Sequence, residues 1–375
     1  CIDAVDVETI CILVGMMLLV AVIKNSGIFE YIAIKAAKIA KGRPWPIMVI
    51  FILITAVCSG MLDNVTTVLL VGPMTLAITN ILKVDPVPYI ITQIMASNIG
   101  GTATLIGDPP NIMIGSAAKL SFVDFILNTG VATVFVIIVG LICMYFIYGR
   151  KLFVTDESIA KVMQLDENKA IKDRKLMHES VIVIILVALC FIFHDQLGVQ
   201  SCTVAIAAAC IMLLIGGQEP EEIIADVEWP TILFFIGLFI VVGGMKKVGV
   251  ITMLANGLIS ITHGNMVVTM MVILWVSAIV SSFLDNIPFV ATLIPMILTM
   301  QSEGMDVAPI WWALSLGACL GGNGTLIGAS ANVVLSGISK NNGHPITFGQ
   351  YFKIGFPMMI LSIIVCSVFL LIRFA

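Results

Sequence analysis

Gly100-Gly101-Thr102-Ala103-Thr104-Leu105-Ile106-Gly107, set between Asn98 and Asp108-Pro109-Pro110-Asn111, is the stretch whose reading decides the fold. It returns 221 residues later as Gly321-Gly322-Asn323-Gly324-Thr325-Leu326-Ile327-Gly328, and Asn111 returns as Asn332. Seven of the twelve positions in 100–111 are identical, too many for chance in apolar sequence. Upstream, at an offset of 222, Ser59-Gly60-Met61-Leu62-Asp63-Asn64 matches Ser281-Ser282-Phe283-Leu284-Asp285-Asn286. Pro73-Met74 matches Pro295-Met296, and Gly15, Lys24 and Gly27 match Gly237, Lys246 and Gly249. The chain therefore carries one unit twice.

The surroundings say what kind of unit it is. Of 375 residues, 59% are hydrophobic and 11% charged, where a soluble domain carries about 25% charged residues. That balance excludes a water-soluble enzyme and a disordered chain. A net charge of −4 without a basic stripe excludes a nucleic-acid binder. Long continuous apolar runs, not short alternating segments, exclude a β-barrel. The fold class is an all-α polytopic membrane protein built of two repeats. The nine cysteines form no CxxC pair, and the four histidines never pair at i,i+4, so a metal centre has no support.

A spanning helix needs about 20 apolar residues. Such runs lie near 10–28, 89–118, 125–149, 178–194, 199–217, 230–248, 308–336 and 350–374. Two others, 46–82 and 266–301, are too long for one helix, and each has Asp-Asn at its middle. These read as re-entrant helical hairpins with tips at 60–64 and 285–288. The glycines and prolines of 98–111, and the glycines of 321–332, break the spans that hold them. Segments 29–42 and 249–263 read as amphipathic helices lying along the two membrane surfaces. Trp45, Trp229, Trp311 and Trp312 fall near span ends, as interfacial aromatics do, and Lys24 and Lys246 read as snorkelling.

The polar stretch 150–177 reads as a solvated linker. Placing it inside puts fifteen of the nineteen Lys and Arg residues on the cytoplasmic side, as the positive-inside rule asks. On that path the first Asp-Asn hairpin enters from the cytoplasm and the second from outside, so the repeats are inverted, the ground plan of many secondary transporters. Two spans precede the second copy and none precedes the first, which begins at Ile2. The repeat thus leads to the expectation of two further helices before it.

Broken helices at membrane depth are tolerated only beside protein or water, and they aim free backbone groups at an ion or substrate. Thr hydroxyls, Asn amides and carbonyls are hard donors suited to Na⁺. Asp63, Asp285 and Asp108 would each cost about 2.5–3.5 kcal/mol at a helix centre, and the motif segments contain no Lys, Arg or His. Each Asp either caps its half-helix, holds a proton or balances a cation. Asp108 is one-sided, because its repeat partner is Ala329. One candidate ion site is Asp63, Asn64, Gly100 and Thr104; its mate is Asp285, Asn286, Asn323 and Thr325. Asp108, Asn111, Ser330 and Asn332 are candidates to line the substrate. Thr66, Asn98 and Gly321 complete the set. No catalytic residue and no cofactor is expected beyond Na⁺ or H⁺ as coupling ion.

The segments LDNVTT (62–67), FLDNIPF (283–289), NIGGTATLIGDPPN (98–111) and GACLGGNGTLIGASANVV (317–334) resemble the ion transporter superfamily. Within it the chain is most similar to the ArsB/NhaD permease group and its P protein (oculocutaneous albinism type II) branch, which share a citrate transporter-like domain. The resemblance implies a homodimeric elevator-type carrier. Residues 1–43 and 178–263 would be scaffold, 44–150 and 264–375 the moving transport domain, and 151–177 the cytoplasmic linker. In the related divalent-anion/sodium symporters the tips read Ser-Asn-Thr; here Asp63-Asn64-Val65 and Asp285-Asn286-Ile287 replace them. Two added carboxylates favour cation exchange, or a weakly charged cargo, over a dicarboxylate. The expected function is Na⁺- or H⁺-coupled movement of a small inorganic ion or organic anion across the cytoplasmic membrane. An Na⁺/H⁺ antiporter without organic substrate and an anion channel are the alternatives.

Overall fold

The computed structural model describes residues 4–375; Cys1 and Ile2 lie outside the described residues. Among these the secondary structure is helical, without a strand. Helix α1 (Val7–Lys24) begins where Asp6 accepts the Thr9 N–H and ends at a lysine, each charge suiting its end of the helix dipole. Gly27, at φ 81°, turns the chain into α2 (Ile28–Ile39). Pro44 opens α3 (Pro44–Leu62), and Asp63 alone separates it from α4 (Asn64–Leu82). The broken span follows as α5 (Val87–Thr102) and α6 (Pro109–Ala118). A capping box of Ser121 and Asp124 starts α7 (Phe122–Phe125), which runs through a π-helical turn into α8 (Val131–Ile147).

The linker is not bare. It folds α9 (Asp156–Met163), capped by Thr155, which packs on α2 and α4. Lys38 binds Glu167 at 2.6 Å and holds that carboxyl below its ordinary range. Helices α10 (Arg174–Leu197), α11 (Ser201–Ile215) and the short α12 (Pro220–Ala225) lead to the second copy. That copy repeats the order: α13 (Trp229–Lys247), α14 (Val250–Thr262), the hairpin α15 (Met266–Phe283) and α16 (Asn286–Ser302), the broken span α17 (Ala308–Gly321) and α18 (Ser330–Asn341), and α19 (Phe348–Phe374). Gly249, the mate of Gly27, makes the same left-handed turn at φ 79°.

Two contacts show the inversion. Lys24, at the end of α1, pairs with Asp226, just before α13, at 2.6 Å; a Cβ on Gly243, near the end of α13, would lie 2.5 Å from the Ala4 Cβ before α1. The repeat mates α1 and α13 therefore run antiparallel. The first contact also gives the Lys24 ammonium, at the end of its helix, a partly exposed protein partner. Trp311 and Trp312 differ from expectation: both are buried, with Phe125 edge-on to Trp312 at 5.3 Å, because α17 runs through the middle of the bundle.

Among the described residues, eight helices are long and apolar enough to cross a membrane. On α8, Val131, Val134, Phe135, Ile138, Ile142, Tyr145 and Phe146 are exposed, a stripe at helical spacing. Exposed apolar surface on that scale fits lipid and not water. The hairpins and broken spans pack on each other, α3 against α5, α15 against α17, and α18 against α4.

Candidate functional site

The four interruptions meet at one place. A small cavity of about 30 Å³ is walled by Asp63, Asn64 and Val65 from the first tip, Asn286 and Ile287 from the second, Asp108 and Pro109 from one broken span, and Ser330 from the other. Each of these marks the start of a helix: α4, α16, α6 and α18. Four N-termini thus face a common space, each bringing free N–H groups and the positive end of its dipole. Three of the four positions just before these helices carry aspartate; the fourth is Ala329.

The acids are not equivalent. Asp63 is buried, accepts the N–H groups of Val65 and Thr66, and takes a short hydrogen bond from the Thr66 hydroxyl. Its backbone sits at φ 114°, ψ 155°, a region almost reserved for glycine. Asp285 is half-buried at φ −54°, accepting from the Ile287 N–H at 3.1 Å and the Ser330 hydroxyl at 3.0 Å. Asp108 is 1% exposed, yet its side chain caps nothing. The Asn286 amide, at 3.3 and 3.5 Å, reaches its carboxylate. The described ion pairs do not include it.

Behind the cavity stands a brace made twice. The Thr104 hydroxyl donates to the Gly60 carbonyl and the Thr325 hydroxyl to the Ser282 carbonyl. Ser59 donates to the Ser97 carbonyl at 2.7 Å and Ser281 to the Ala318 carbonyl at 2.6 Å. The Asn111 amide donates to the carbonyls of Gly101, Thr102 and Thr104; the Asn332 amide donates to those of Gly322 and Thr325. These bonds satisfy carbonyls that the breaks orphan. The two halves then clasp each other: Ser315 donates to the Asn111 amide oxygen at 2.6 Å, and Asn98 donates to Asn332 and Asn323, both at 2.9 Å. Glycine is required at the closest approaches. A Cβ on Gly100 would lie 2.0 Å from the Ala56 carbonyl oxygen, and one on Gly321 would lie 2.7 Å from that of Ala278.

The structure thus divides the sequence-derived candidates. Asp63, Asn64, Asp108, Asn286 and Ser330 line the cavity; Thr66 and Asp285 support its edge. Thr104, Thr325, Asn98, Asn111, Asn323, Asn332, Gly100 and Gly321 hold the frame, with their polar groups, the buried and unpartnered Asn98 amide oxygen excepted, turned to backbone or to neighbouring side chains. Two wall residues were missed, Glu228 and Thr231, contributed with Leu13 and Met17 by the α1–α13 side. The repeat held a signal for them: at the same offset of 222, Asp6-x-x-Thr9 matches Glu228-x-x-Thr231.

Comparison with known proteins agrees with this architecture. The citrate transporter family model matches residues 1–317. An uncharacterized transporter of Mycobacterium tuberculosis is 42% identical over 99% of this chain and 87% of its own length. The human P protein is 32% identical over 99% of this chain and 54% of its own length. Among solved structures, the Alcanivorax borkumensis YdaH transporter superposes with a TM-score of 0.66 at 14% identity, over 96% of this chain and 84% of that one; at that identity the likeness is one of fold. With its repeats, its spans and these relatives taken together, the chain is an integral, multi-pass membrane transporter and belongs to the citrate transporter family.

Proposed function

We propose that the chain is a secondary active carrier that couples Na⁺ or H⁺ to a small inorganic ion or organic anion and works by an elevator motion. The hairpins, broken spans, α8 and α19 would move as one body. They would slide against a scaffold of α1, α10, α11 and α13, in a homodimer. One observation supports this above the rest: Asp108 is a carboxylate sealed at membrane depth that neither caps its helix nor meets a cation from the protein. Burying an isolated charge is costly, so such a group takes up a proton or a metal cation. Na⁺ or H⁺ suits these surroundings, because the polar side chains of the wall are carboxylate, amide and hydroxyl groups, which offer hard oxygen donors.

The electrostatics make uptake of the cation and of an anion interdependent. Four helix N-termini attract negative charge, while three aspartates repel it. Loading a cation on the aspartates tips the balance toward an anion, which is coupling in physical terms. A second reading, Na⁺/H⁺ exchange without an anion, draws on the same carboxylate, since Na⁺ and H⁺ would compete for it.

Proteoliposomes with imposed Na⁺ and pH gradients test both. Accumulation of an anion against its gradient, driven by either ion, is the expected result. A pH response to Na⁺ without added anion selects the exchanger. Flux indifferent to both gradients indicates a channel and overturns the proposal.

A further inference from the structure

The cavity is closed on its remaining side by Glu228, which belongs to the turn into α13 and so to the proposed scaffold. Glu228 is half-buried. Its carboxylate leaves the N-terminus of α13 uncapped and accepts a 3.2 Å hydrogen bond from the Thr231 hydroxyl. Lys24, close by in the fold, is engaged by Asp226 instead. Glu228 shares the lining of this one cavity with Asp63 and Asp108.

The repeat supplies a counterpart. Asp6 occupies the matching position before α1, and Thr9, the mate of Thr231, donates to its carboxylate at 2.7 Å. Because α1 and α13 are antiparallel, the two acid–threonine pairs stand at opposite ends of the α1–α13 pair. Asp6 lines a larger cavity, of about 590 Å³, together with Lys246 and Lys247, and its far wall is α6 and α16. Those are two of the helices whose N-termini line the Glu228 cavity. One acid thus faces the near end of the proposed moving body and the other faces its flank.

We infer that Glu228 and Asp6 are positioning residues, the two ends of the stroke, which the aspartate-bearing tips face in turn. An empty moving body presents negative charge at its tips. Against Glu228, in a cavity of low dielectric, that charge is repelled. A body carrying Na⁺ or H⁺ is not repelled. The Glu228-facing position therefore favours the loaded carrier. At the other end Lys246 and Lys247 share the cavity with Asp6, so an empty body is tolerated there. Occupancy and position are linked through these fixed charges. The inference rests on the elevator reading.

The test needs no knowledge of the cargo. Spin labels are introduced as encoded non-natural residues at Lys83, at the exposed end of α4, and at Glu222, on exposed α12. Their separation is measured by pulsed electron resonance in nanodiscs, in alkaline Na⁺-free buffer and again with Na⁺ or acid. In the wild type two separations are expected, with Na⁺ or acid favouring the one seen in this structure. Glu228→Gln should raise that population in ion-free buffer by about fivefold or more and blunt the response to ions. Glu228→Asp should behave as wild type, which a packing role for the side chain would not give. Asp6→Asn should shift the balance the opposite way. A single separation in the wild type under every condition removes the elevator reading itself. Two separations that respond to ions in the wild type but remain unmoved, or move the same way, in Glu228→Gln and Asp6→Asn overturn this inference and leave the carrier standing.

Discussion

The two hairpin tips share the sequence Leu-Asp-Asn, and behind them the same bonds are made twice, by Ser59 and Ser281, Thr104 and Thr325, Asn111 and Asn332. At the tips the likeness stops. Asp63 is buried, forced to φ 114°, and bonded within its own hairpin; Asp285 is half-buried, relaxed, and bonded to the other broken span through Ser330. Asp108 has no acidic mate at all. The comparison teaches where evolution kept a frame and where it varied the chemistry. Bonds that close a backbone break are common to both halves because an orphaned carbonyl in a bilayer is costly wherever it occurs. Charges facing the cavity are not bound by that need.

The sharpest break in the comparison is Asp108. Asp108→Asn should leave folding intact and weaken the apparent affinity for the coupling ion by about 100-fold or more, since one member of a buried charge contact is removed. Ion-driven uptake in proteoliposomes reads this, and near-normal uptake would remove Asp108 from the mechanism. Asp63→Asn and Asp285→Asn should each also impair coupled transport strongly.

The close approaches come next. Gly100→Ala and Gly321→Ala should both destabilise, by about 1–3 kcal/mol for an overpacked contact. Gly100→Ala should be the worse of the two, because its Cβ meets the facing carbonyl 0.7 Å sooner, at 2.0 Å against 2.7 Å. Thermal unfolding in detergent measures the order, and the reverse order would contradict the packing described.

The tips themselves can then be told apart by backbone. Asp63→Ala loses a cap, worth about 0.5–2 kcal/mol, and keeps a Cβ at a backbone angle that costs about 1–3 kcal/mol. Asp63→Gly relieves the second penalty. Glycine should therefore be clearly more stable than alanine at 63, whereas at 285, where φ is ordinary, alanine should be at least as stable as glycine. Equal behaviour at both positions would erase the asymmetry.

The smallest effect lies at the periphery, where α2 is held by the linker. The described ion pairs do not include an equivalent for α14. Lys38 keeps the Glu167 carboxyl below the ordinary glutamate value of 4.5. The pair's contribution is thus present above about pH 4.5 and fades as pH falls through the lower, folded value. Lys38→Met should flatten that acid limb of a stability–pH curve slightly; Lys246→Met should not. An unchanged limb would show that the pair, which is half-buried, contributes nothing measurable.

Much of this was legible beforehand for a physical reason. A bilayer demands long apolar runs, so the spans announce themselves, and a run of double length with Asp-Asn at its centre can fold back or break but cannot cross once. Helix α9 escaped because it is amphipathic and short, held by tertiary contact with α2 and α4. The buried pair Trp311–Trp312 looked interfacial because a span's end in sequence need not be its edge in a bundle. At the site, residue type identified the polar groups but not their direction. Asn111 and Asn332 look like ligands in sequence; in the fold their amides are turned to the carbonyls of their own breaks. Glu228 escaped because it lies outside both motifs, and only an acid–threonine spacing shared with Asp6 and Thr9 links it to them.

The central claim is that Asp108 requires a cation or a proton. Thermal unfolding of the purified protein and of Asp108→Asn, with and without Na⁺ and across acid to alkaline pH, tests it most directly, since a ligand bound only by the native state raises apparent stability. The account predicts that Na⁺ or acid raises the melting temperature of the wild type and has little effect on Asp108→Asn, which should melt at or above the unloaded wild type. Equal shifts in the two proteins, or no shift in either, would contradict it.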